Sequence, residues 1–241
     1  MSDSSRDAGS SSSAAVSSEA GVSEVVSGRS VAHETKSNGV VADADERVSD
    51  EQRRDARSVQ QRLERFYSLE PGPDVSDFLR RGNHDSREAL FVRHGEDGVE
   101  VGLMLPGGGR DPRSSDDERL QLLEGVSHFV YLAERARVDL PMTELELELQ
   151  AEVDKFVLLA FDGKRLAAKR ARSVRASLYE SVRYLHDAAS EKGARYRLAN
   201  DLAARVSHRL VERLRDGEAH HFLRRFYRAG QAEKIRLASA A

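Results

Sequence analysis

The segment TELELELQAEVDKFVLLAF, Thr143 to Phe161, constrains the fold more than any other part of the chain. It opens with strand-like alternation, but the alternation fails at Gln150-Ala151. Met142, Leu145, Leu149, Val153, Phe156 and Ala160 keep helical spacing throughout. Thr143 with Glu146 makes a capping box just after Pro141, which places the helix start there. Leu147, Ala151 and Leu158 form a second, smaller apolar stripe on the far side. A helix apolar on two sides has to be sandwiched between neighbours, so this segment is expected to be the central rod of a helical bundle.

The acids of the rod divide into two kinds. Glu144 and Glu146 suit the positive end of the helix, and Glu148 is expected to pair with cations in solvent. Glu152 differs, because it projects about 20° from Leu145, among Leu149, Phe156 and Leu159. A carboxylate inside an apolar arc must be neutralised, hydrogen-bonded or paired. The helices downstream offer Arg209, at the margin of an apolar stripe, and Arg213, near its centre. The expected arrangement is an ion pair of Glu152 with one of them, fixing helix register. A ligand pocket around Glu152 is the alternative.

Charge supports such a docking of halves. The net charge is −3, but residues 1–163 hold 19 Lys+Arg and 33 Asp+Glu, or −14, while residues 164–241 hold 19 and 8, or +11. Arginine outnumbers lysine, as in a GC-rich bacterial genome. The chain has no cysteine, which excludes disulfides, thiolate nucleophiles and Cys-containing zinc sites, and makes a reducing cytoplasm the expected compartment. The longest strongly apolar run, Phe156 to Phe161, is far short of the roughly 20 residues of a membrane span. No secretory signal is legible in MSDSSRDAGSSSSAAV, so a soluble protein is expected.

The remaining elements follow from local pattern. Residues 1–49 are rich in Ser, Gly, Ala and acids and hold no persistent apolar period, which predicts a disordered tail ahead of one domain at 50–241. Ser49 with Gln52 caps a helix carrying Val59, Leu63 and Phe66, which stops at Pro71 to Pro73. A short turn or helix, DVSDFLRR, leads to EALFVRH and VEVGLML around GEDG, an antiparallel hairpin at about 88–105. Two strands alone are marginal in water, so the ribbon must lie on helices. Ser115 with Glu118 is expected to cap a helix reaching about Arg137, its apolar arc including Gly125, where a missing side chain lets another helix approach. Two or three basic helices complete the chain. The first carries Val174, Leu178, Val182 and Leu185, the second runs from Tyr196 to Leu214, and the last segment breaks near Gly230. The fold class is therefore mainly α: a bundle of five to six helices with one β-hairpin.

Few constellations carry chemistry. Glu124 and His128, four residues apart on one face, would hold a metal only if a second pair faced them, and Glu148 with Glu152 is the one nearby candidate. Di-iron bundles use Glu-x-x-His instead, so a polar surface pair is expected, with no metal or cofactor. His220 and His221 are adjacent and splay apart on a helix. The PGGGRDPRS loop lacks the phosphate-loop pattern, and Asp116, Asp117 and Glu118 already occupy the helix start after it. No recognisable catalytic string appears. The leading expectation is a non-catalytic interaction or regulatory module whose partner is another protein or a second copy. Two alternatives stand beside it: nucleic-acid association through the basic C-terminal helices, and an enzyme with a pocket around Glu152.

Overall fold

A computed structural model of the chain describes residues 22–26, 48–82, 87–95, 98–106, 112–163, 165–213 and 215–240. Most of the tail expected at 1–49 and all of residues 107–111 lie outside the described residues. Where the tail is described, Val22–Val26 forms strand β1, and Val48 is buried beside the Ser49 cap.

Helix α1 (Asp50–Tyr67) starts as its capping box requires, with the Gln52 amide donating to Ser49 Oγ at 3.2 Å. A 3-10 turn at Val75–Asp77 leads into strand β2 (Leu79–Arg81), so the DVSDFLRR stretch is half turn and half strand. Strands β3 (Ala89–Gly95) and β4 (Gly98–Leu105) form the expected antiparallel hairpin, with Leu90 opposite Leu103. The hairpin is the centre of a four-stranded sheet in the order β1-β3-β4-β2. In it β1 pairs antiparallel to β3 and β2 runs parallel to β4. The added strands answer the instability of an isolated ribbon by pairing its edges.

Helix α2 (Pro112–Arg137) begins earlier than Ser115, at a proline, whose fixed φ and missing N–H suit a first helical position. Helix α3 (Glu144–Ala160) is the predicted rod. Its capping box is present, with the Glu146 amide donating to Thr143 Oγ1 at 3.2 Å and the Thr143 amide to Glu146 Oε2 at 2.9 Å. A two-residue ribbon, β5 (Phe161–Asp162) with β6 (Arg165–Leu166), turns the chain through Gly163 at φ +57°, where a side chain would be strained. Then follow α4 (Ala168–Tyr179), α5 (Glu191–Glu212), α6 (Asp216–Arg228) and α7 (Gln231–Ser239). The described residues thus hold seven α-helices, the last two separated at Gly230 as expected. Helix α4 ends before Val182 and Leu185. The chain turns out there so that Tyr184 donates to Asn200 Oδ1 at 3.0 Å and Ser190 accepts from the Gly193 amide at 3.0 Å to cap α5.

The rod is buried on all sides, packed by α1, α2, α4, α5 and α7. Leu147, Leu149, Val153, Phe156, Val157 and Leu158 all join one apolar cluster that runs from Val48 to Ala238. Each such side chain contributes roughly 1.5–3 kcal/mol relative to exposure. No helix among the described residues is long and apolar enough to cross a membrane.

Gly125 corrects one expectation. What approaches it is the sheet rather than a helix: a Cβ there would lie 2.9 Å from Leu103 Cδ1 and 3.5 Å from Leu105 Cδ2. Gly125→Ala is expected to be close to neutral, because Leu103 can rotate away and alanine recovers about 1 kcal/mol of helix propensity. Gly125→Val is expected to cost about 1–3 kcal/mol by overpacking. Urea denaturation of the two variants checks this order.

Candidate metal centre

Helices α2 and α3 run antiparallel and meet along polar residues that their apolar arcs leave between them. From one end to the other, Arg135 Nη2 lies 3.5 Å from Glu146 Oε1, and His128 Nε2 lies 3.8 Å from Glu148 Oε2. Further along, Ser127 Oγ donates to Asp154 Oδ2 at 2.6 Å, and Lys155 Nζ donates to Glu124 Oε2 at 3.2 Å. Every one of these residues is buried. The polar face of α2 that holds Gln121, Glu124, His128 and Arg135 is therefore turned inward. Glu124 and His128 are not a surface pair, and Glu148 does not reach solvent. A helical wheel separates apolar from polar arcs, but it cannot tell a solvated polar arc from one covered by a neighbour with complementary groups.

The predicted partner of Glu152 is also corrected. Glu152 keeps 17% side-chain exposure and takes Lys155, one turn along its own helix, at 2.7 Å. Arg209 instead lies over the Phe222 ring at 4.6 Å, and Arg213 is exposed at the C-terminal cap of α5. An intrahelical lysine reaches the carboxylate without ordering a second helix, so the arginines are left for other uses. The Glu152 backbone carbonyl accepts from Tyr179 Oη at 2.8 Å, which ties α4 to the rod.

Two polar centres result, and they differ in how well they are satisfied. Asp154 accepts from Tyr67 Oη at 2.5 Å, Ser127 Oγ at 2.6 Å and Gln150 Nε2 at 2.8 Å. Burial raises its pKa to about 6, against the pull of these three donors. Gln150 in turn accepts from Lys234 of α7. The Lys234 ammonium is caged by the rings of Phe226, Tyr131 and Tyr227, at 4.6, 4.8 and 5.9 Å. This centre is closed: it binds α1, α2, α3 and α7 together through side chains that answer one another.

The other centre is open. One potential ligand atom from each of Glu124, His128 and Glu148 lies within 4.8 Å of the other two. His128 Nε2 and Glu148 Oε1 are buried and have no hydrogen-bond partner. Burial drives His128 down to about 4, so its imidazole is neutral and carries a lone pair. Glu148 is pushed well above the usual carboxylate range by burial and by the nearby Glu124 and Glu88 charges, although the Tyr196 hydroxyl of α5 bonds to it. Glu124 is desolvated too, but the Lys155 ammonium above all, which also hydrogen-bonds to it, outweighs that and holds its pKa low. Two carboxylates and a neutral imidazole facing one point are a donor set for a divalent cation.

Comparison with family models, curated proteins and solved structures finds no match for the chain. The site rests on its own geometry.

Sequence reading singled out Glu124, His128, Glu148 and Glu152 and missed Asp154, Lys155 and Lys234. The missed signal was spacing on the rod: Glu148, Glu152 and Lys155 stand at i, i+4 and i+7, and Gln150 and Asp154 stand four apart.

The caged lysine gives a pH test. Burial lowers Lys234 from 10.5 to about 7, against the attraction of Asp154 and Glu146 and with the repulsion of Arg135. The unfolded chain then binds more protons than the folded one between those values, so this penalty is full below pH 7 and relieved as pH rises. The stability of the native chain relative to Lys234→Met is expected to rise from pH 7 to pH 9, by up to about 1.4 kcal/mol per pH unit. Paired denaturation curves at pH 7, 8 and 9 measure it.

Proposed function

We propose that the protein is a divalent-cation-binding helical module, with Glu124, His128 and Glu148 as ligands. The observation that carries this reading is the pair of buried, unpartnered donor atoms, His128 Nε2 and Glu148 Oε1, aimed into the same gap between α2 and α3. A buried imidazole nitrogen and carboxylate oxygen without partners cost about 1–3 kcal/mol each, and a bound cation removes both penalties at once. Carboxylate oxygen with imidazole nitrogen favours Mn²⁺, Fe²⁺ or Zn²⁺ over soft Cu⁺.

The cation would link two helices rather than perform chemistry. All three ligands are at most 7% exposed, and they join α2 to α3 across the seam. Lys155 already bridges Glu124 and Glu152 and keeps Glu152 as its partner when a cation takes up Glu124. Cation binding would therefore tighten the α2–α3 seam, which supports reading the protein as a regulatory, non-catalytic module. The nucleic-acid reading gains no support from the aromatic residues of the basic helices. Tyr179, Tyr184 and Tyr196 are engaged internally, and Phe222, Phe226 and Tyr227 are buried.

Equilibrium dialysis against Mn²⁺ and Zn²⁺, with metal content read by mass spectrometry, tests the proposal. The native chain is expected to retain one equivalent. Glu148→Gln copies the neutral acid, so it is expected to hold the stability of the metal-free chain within about 1 kcal/mol. It is also expected to weaken retention about 100-fold or more, since even outer-sphere changes cost 10–100-fold. Equal retention by both chains would refute the assignment.

A further inference from the structure

Outside the seam, two arginines line an apolar cavity between α1 and the end of α3. The cavity has a volume of about 310 Å³, within the lower range of small-molecule sites. Its floor is Phe66, Val157, Leu158 and Phe161, all at most 9% exposed. Phe66 is held edge-on by Phe161 at 5.2 Å and by His220 at 4.8 Å, so the floor is preformed.

The rim is cationic. Arg62 and Arg65 of α1 line the cavity. Arg62 Nη2 donates to the Leu158 carbonyl at 2.6 Å, and Arg65 Nε to the Gln61 carbonyl at 3.0 Å. Among the described residues, neither has a carboxylate partner. Burial and the charges of Arg119, Arg170 and Arg65 all depress Arg62. A guanidinium does not lose its proton in water, and an anion bound at the rim would offset this repulsion.

We propose that this cavity binds a small anionic amphiphile, its carboxylate or phosphate head at Arg62 and Arg65 and its apolar tail on Phe66, Val157, Leu158 and Phe161. The head needs the cations, and the tail needs the floor. An inorganic anion would leave that floor idle. The site is separate from the α2–α3 seam and does not depend on a metal there.

Calorimetric titration of the full chain with decanoate, below micellar concentration, tests the proposal, with decanol, acetate and a thymidine oligonucleotide as comparison probes. Decanoate is expected to bind one to one, at least about tenfold tighter than decanol or acetate, as one good charge-assisted contact supplies about that factor. Arg62→Gln with Arg65→Gln should remove that preference while leaving the weak binding of decanol in place. Because Arg62 also bonds to Leu158, the exposed Arg170→Gln serves as a second variant that does not touch the core. It should weaken decanoate severalfold and make the binding less sensitive to salt. Equal binding of decanoate and decanol, unchanged affinity in both variants, or tighter binding of the oligonucleotide than of decanoate would each overturn the proposal.

Discussion

The structure depends on one constraint: α3 is packed on every side yet carries five ionisable residues between Glu146 and Lys155. A helix in that position cannot leave its charges to water, and each must find its answer from the elements packed around it. Helix α2 answers along the seam, α1 and α7 answer Asp154, α4 takes a backbone carbonyl, and α5 reaches Glu148 through Tyr196. Helix register and helix identity are thereby fixed together, since a slip of one turn would strand several buried charges at once.

The contrast between the two polar centres is what separates architecture from function. Around Asp154 three donors converge on one carboxylate, and the result is a latch between four helices. Around His128 and Glu148 the same burial leaves donor atoms unanswered. A chain able to satisfy Asp154 three times over has the means to satisfy Glu148 as well. The open centre is where the proposed cation would sit.

Much of the architecture was legible in sequence. The rod, its capping box, the hairpin and the break at Gly230 all follow from periodicity and caps, because these depend on nearest neighbours along the chain. Strands β1 and β2 were not legible: their pairing partners lie far away, and a three-residue strand has no period to read. The site was half legible. Glu124, His128 and Glu148 drew notice by type and spacing, but their burial depended on which face of α2 meets α3, and that is a tertiary fact. Glu152 was given Arg209 or Arg213 because both stand on or beside an apolar stripe, whereas the nearer Lys155 takes it because proximity along one helix costs less order.

The most direct measurement of the central claim is X-ray absorption fine structure at the zinc edge, on the chain carrying one equivalent of zinc. The account predicts a first shell of oxygen and nitrogen only, with the outer-shell scattering of a single imidazole, that of His128. A shell with two or more imidazoles, or with none, would place the ion elsewhere among the eight histidines or on the surface acids, and would contradict it.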